Sequence, residues 1–157
     1  MITELKPGSP ILDPRQQPAE LLKLIGDAEA VDWLVRYNAY AHQLDDIVDG
    51  DVEPRVGALT LARMALELYS HPFWVRHGLR LYAVARLCHS NYEDSVHWEK
   101  SPVAWQRTEA DVIRHCGSDM VRAVADLMAG YPAMREISPI LRIIGYEDHH
   151  DEHGNPN

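Results

Sequence analysis

Residues 27–50 read DAEAVDWLVRYNAYAHQLDDIVDG, and this stretch decides the fold class. Ala30, Trp33, Leu34, Tyr37, Ala41, Leu44 and Val48 recur mostly at intervals of three and four, which places them along one side of a helix with 3.6 residues per turn. Asp27 is suited to the N-cap, because its carboxylate can accept from the unpaired N–H groups that open a helix. Gly50, just past Asp49, is suited to end it. A long helix with one apolar side has to cover that side, and the flanking sequence offers further helices to do so.

Upstream, residues 19–25 read as a short helix. Residues 1–18, with Pro7, Pro10, Pro14 and Pro18, read as an irregular N-terminal arm. Downstream of Pro54, Val56, Leu59, Leu61, Met64 and Leu68 carry a helix to Tyr69, and Pro72 restricts the residue before it, so the helix stops there. Pro72 in turn suits a first helical turn, and the apolar spacing from Phe73 through Cys88 and Tyr92 to Trp98 predicts one long helix to Lys100. Ser101 and Pro102 predict the cap and first turn of another, unbroken to Gly130 although Gly117 lies inside it. Residues 133–144 read as a shorter helix around Pro139, and residues 147–157, with His149, His150 and His153, as a disordered polar tail. No segment alternates with the period of a strand and none repeats. The expectation is an all-α, single-domain bundle of four to six helices over residues 19–146.

At 157 residues the chain can bury a full core without a disulfide or structural metal. Its two cysteines, Cys88 and Cys116, stand 28 positions apart without a C-x-x-C partner. They read as small buried thiols in a reducing, cytoplasmic setting. A formal charge of −9 argues against nucleic acid as a partner, since phosphate binding needs a clustered cationic face. No uninterrupted apolar run reaches membrane-span length, so no membrane is expected either. Twelve of the fifteen cations are arginines, whose planar fork suits phosphate and carboxylate, so local anion recognition stays open.

Chemistry concentrates in two segments. In the first, Asp45 and Asp49 are four apart on one helix face and Asp46 sits three before Asp49, so the carboxylates can converge on one hard cation. Like charges this close destabilise a helix, and the negative end of its dipole makes the placement worse. An acidic helix end running into a solvated loop with Asp51 and Glu53 accounts for the same residues. In the second, Asn91, Ser95 and Glu99 recur every four residues over roughly 80° of helix surface, an oxygen-donor set suited to magnesium. An ordinary polar stripe is the alternative, because Glu93, Asp94 and His97 make this helix polar on other sides too.

Together these segments resemble the class I isoprenoid (terpenoid) synthases. The family's D-D-x-x-D motif falls on Asp45, Asp46 and Asp49, and its N-x-x-x-S-x-x-x-E motif on Asn91, Ser95 and Glu99. The resemblance implies that these six residues hold magnesium, with manganese as a substitute, around a small-molecule diphosphate inside an all-α fold. Only 41 residues lie between Asp49 and Asn91, and the short chain also resembles the all-α nucleoside triphosphate pyrophosphatases of the MazG and dimeric dUTPase group. That likeness implies pyrophosphohydrolysis, allows a homodimer, and carries the second motif to Asp94. A non-catalytic helical protein is the third reading.

Further candidates are Asp111, His115 and Asp119, spaced by four on the expected last long helix, and Arg107, Arg114 and Arg122 beside them, which could grip a diphosphate. A surface ion-pair ladder is the alternative for that row. His42, four before Asp46, could orient that carboxylate or simply lie on the surface.

Overall fold

The computed structural model describes residues 17–149, with side-chain surroundings from residue 21 to residue 142. Its helices are α1 (Gln17–Ile25), α2 (Ala28–Asp49), α3 (Pro54–Ser70), α4 (Pro72–Trp98), α5 (Ala104–Arg114), α6 (Gly117–Ala129) and α7 (Tyr131–His149). Among the described residues the fold is all-α, as the periodicity requires. Most of the expected arm (1–16) and tail (150–157) lies outside the described residues. α7 reaches further than residues 133–144 at both ends and takes in residues 147–149 of the expected tail.

Local signals set the ends of α2. Asp27 accepts from the Ala30 N–H at 2.8 Å, and Gly50 closes the helix at φ 83°, a left-handed conformation that glycine adopts without steric cost. Pro54 and Pro72 open α3 and α4, where a missing N–H removes nothing a helix would use. Trp33 of α2 organises the core. Fully buried, it packs its ring 5.3 Å from those of Tyr37 and Trp74 and 5.4 Å from Phe73, while Nε1 donates to the Leu68 carbonyl of α3 at 3.2 Å. Met120, Val124 and Ala125 of α6 and Ile137 of α7 complete this core.

One expected element is corrected. The helix anticipated from Ser101 to Gly130 starts at Ala104 and breaks after Arg114, so the bundle has seven helices among the described residues where four to six were expected. Ser101 does cap, but by accepting from the Val103 N–H at 3.1 Å, ahead of the helix. At the break the ladder tightens to three-residue steps: Cys116 N–H donates to Ile113, Ser118 to His115 and Asp119 to Cys116. Glycine is a poor helix-interior residue, and Gly117 opens α6 here. The turn lets α5 pack along α4 while α6 packs against α7 and α4. Both cysteines are buried and free, as expected, and they tie this break to α4. Cys88 Sγ donates to the Cys116 carbonyl at 3.0 Å and Cys116 Sγ returns the contact to the Cys88 carbonyl at 3.1 Å.

Candidate acidic site between α2, α4 and α5

The C-terminal end of α2 meets the last two turns of α4. Asp45 accepts a hydrogen bond from the Tyr92 hydroxyl at 2.9 Å, which joins the two acidic segments directly. From α5, Arg114 reaches in to pair with Glu99 and donates from Nε to Ser95 Oγ at 3.4 Å. The Arg114 and Glu99 side chains are only 18% and 22% exposed, so the pair is substantially shielded from solvent.

The electrostatics of this cluster are collective. Asp49 is exposed, yet desolvation by the surrounding protein raises its pKa, and the charges of Asp45, Glu99 and Asp51 push it the same way, against the pull of Arg114. Burial alone would raise Glu99 as well, but hydrogen bonds from Arg114 and Lys100 hold it below the ordinary carboxylate value. The Arg114 guanidinium resists the desolvation that would lower its pKa, because Glu99, Asp45 and Asp49 together stabilise its charge. Burial and the bond to Asp45 keep the Tyr92 phenol protonated far above neutral pH. Arg114 thus pairs with Glu99 and lies in the field of Asp45 and Asp49.

The remaining candidates are placed unevenly. Asp46 lies about 100° round α2 from Asp45 and is exposed, while its carbonyl accepts from Asp51 N–H at 2.9 Å. Asn91 is half-buried on α4, one turn before Ser95. Ser95 is fully buried and donates to the Tyr92 carbonyl at 2.7 Å, which fixes its hydroxyl against its own helix. His42 and Asp94 are exposed, the latter about 100° round α4 from Ser95. Arg107 donates to the Ser101 carbonyl at 2.6 Å and, with Asp111, Glu99, Ala110 and Arg114, lines a shallow pocket of about 120 Å³.

The expected row of Asp111, His115 and Asp119 does not form, because His115 closes α5 and Asp119 belongs to α6. Asp119 instead pairs with Arg122, which also contacts Ser138 of α7 at 3.4 Å. Of the three arginines, Arg114 stands among the acids and Arg107 beside them, whereas Arg122 serves the α6–α7 contact. Tyr92 is the residue that sequence reasoning passed over as part of an apolar stripe. Its spacing of three before Ser95 and seven before Glu99 is the signal that puts its hydroxyl on the same facet.

The donors of this cluster are hard oxygens, the kind magnesium takes, and they already support one delocalised cation. Among the described residues no three His, Cys, Asp or Glu side chains close around a single metal position. A bound ion would therefore require Glu99 to leave Arg114. Among the same residues no helix is long and apolar enough to cross a membrane. Comparison with protein-family models, with curated proteins and with solved structures returns no match.

Proposed function

We propose that the acidic cluster is a magnesium-dependent site for a diphosphate-bearing small molecule, with isoprenoid-synthase-like chemistry. The observation that supports this is the meeting of two acidic segments far apart in sequence, Tyr92 bonding to Asp45 at 2.9 Å while Arg114 pairs with Glu99 and reaches Ser95. Asp45 and Asp49 would offer oxygens from α2 and Glu99 from α4, with Asn91 one turn away. Tyr92 holds Asp45 in orientation through its hydroxyl. Magnesium, when bound, supplies positive charge that neutralises a diphosphate and stabilises it as a leaving group. Arg114, released from Glu99, would turn its fork to the diphosphate oxygens, and Arg107 on the same face of α5 would add a second cation. Two buried free thiols fit a reducing, cytoplasmic setting.

The pocket itself favours a second reading. About 120 Å³ beside Glu99 and Arg114 leaves no room to enclose a long prenyl chain and leaves water access to a bound phosphate. Room for phosphate alone is compatible with a nucleoside triphosphate pyrophosphatase whose nucleoside lies outside this pocket.

Two measurements test these readings. Magnesium or manganese should raise the melting temperature, by the equivalent of about 2.7 kcal/mol at a hundredfold excess over Kd, and Asp45→Asn with Asp49→Asn should abolish the effect. A melting curve that ignores millimolar metal removes the site. Pyrophosphate release is then followed on prenyl diphosphates and on nucleoside triphosphates. Release from nucleotides alone removes the isoprenoid reading, and a metal response without any release assigns a binding protein.

A further inference from the structure

One side of α3 and of α4 is apolar and lies open. On α3, Leu59, Ala62, Leu66 and Tyr69 follow one another at intervals of three and four, opposite the buried Leu68, and Leu66 is 74% exposed. On α4, Val75, Leu79 and Tyr82 do the same, and Leu79 is 97% exposed. Neither stripe serves the core, which α3 and α4 supply from their other sides through Leu68, Phe73, Leu81 and Cys88. Tyr69, at the end of the α3 stripe, packs edge-on against Trp74 at 5.4 Å and lines the same groove as Val75, Leu79 and Tyr82. Alongside α4 runs an open groove of about 740 Å³, reaching from Tyr69 and Trp74 past Gly78 and Ala85 to Glu93.

We propose that this face binds a second copy of the chain, the α3–α4 pair of each protomer packing on that of the other about a two-fold axis. The groove follows α4 for about 28 Å, the length of a helix of some nineteen residues, so its natural occupant is a helix. Alternation of three and four is the spacing with which one helix seats its side chains between those of another, and Ala85 allows close approach. A two-fold contact sets the same apolar face of each protomer against the other, which is how isologous dimers close.

The area is sufficient. Leu59, Leu66, Tyr69, Val75, Leu79 and Tyr82 expose on the order of 800 Å², about what each partner contributes to a stable complex. Charge favours one arrangement. Arg80 lies in the first half of α4 and Glu93 and Asp94 towards its end, so antiparallel α4 helices can bring the cation of one copy towards the acids of the other, where parallel ones set like against like.

Sedimentation equilibrium at micromolar concentration tests the proposal on the full chain. The expected species has twice the 17.8 kDa chain mass, and Leu66→Glu with Leu79→Glu should weaken association by about thirtyfold or more while the helical circular dichroism is kept. Two charge variants guard against misfolding, since they alter exposed positions only. Arg80→Glu, and Glu93→Arg with Asp94→Arg, should each weaken self-association, and mixing the two chains should restore a heterodimer. A monomeric wild type overturns the proposal, and one that floats with phosphatidylcholine vesicles gives the face to lipid instead. A dimer undiminished by all of these substitutions places the interface elsewhere and overturns it equally.

Discussion

Replacing Arg114 by alanine removes the partner of Glu99 and a positive charge that also acts on Asp45 and Asp49. Glu99 loses its charge-assisted bond, Ser95 loses a donor at 3.4 Å, and the repulsion that Asp45 and Glu99 exert on Asp49 is no longer offset. A hydrogen bond to a charged group contributes about 1.5–3 kcal/mol, and stranding a partly buried carboxylate adds to the loss. Because the pair is 18% and 22% exposed, water recovers part of it, and the expected cost is about 3 kcal/mol at pH 7. For a chain of this size that corresponds to a fall of about 6–12 °C in melting temperature.

The pH dependence identifies the cause. In the wild type the Glu99 pKa is depressed, so its contribution is present above the ordinary glutamate pKa and is lost as pH falls through the depressed value. In the variant, burial and mutual repulsion raise the carboxylates, a penalty present at neutral pH that disappears as they protonate. The gap between the two proteins should therefore be widest near pH 7 and narrow towards about pH 4, measured by urea unfolding at several pH values. Under the proposed function, magnesium should also recover part of the variant's loss. A gap below about 0.5 kcal/mol, or one that does not change with pH, refutes the counter-ion reasoning.

Two further predictions concern the core. Trp33→Phe should cost about 1–3 kcal/mol, because the buried Leu68 carbonyl loses its donor, and Trp33→Ala about 3–5 kcal/mol, both read from urea midpoints at unchanged slope. Gly78→Ala should lower the melting temperature although alanine is the better helix former, because its Cβ would come within 2.7 Å of the Trp74 ring that is packed on Trp33. A melting temperature at or above that of the wild type would show that the ring moves aside without loss.

Helix identity and most helix ends follow from the sequence alone, since both depend on interactions within about four residues. Asp27, Gly50, Pro54 and Pro72 mark their boundaries through capping and missing N–H groups, effects that no distant contact needs to supply. The candidate acids at 45, 49 and 99 are legible in the same way, because spacing alone puts each set on one facet. Which facets meet is a different matter. Arg107, Arg114 and Arg122 look equivalent in sequence, and only the turn at residues 115–117, held to α4 by the Cys88 and Cys116 contacts, sends Arg114 to the acids and Arg122 to α7. Tyr92 could pass as one more apolar residue until α2 came alongside and gave its hydroxyl an acceptor in Asp45. Periodicity shows that a helix has a side to bury, but the partner of that side is chosen by packing among residues dozens of positions apart, which no local pattern encodes.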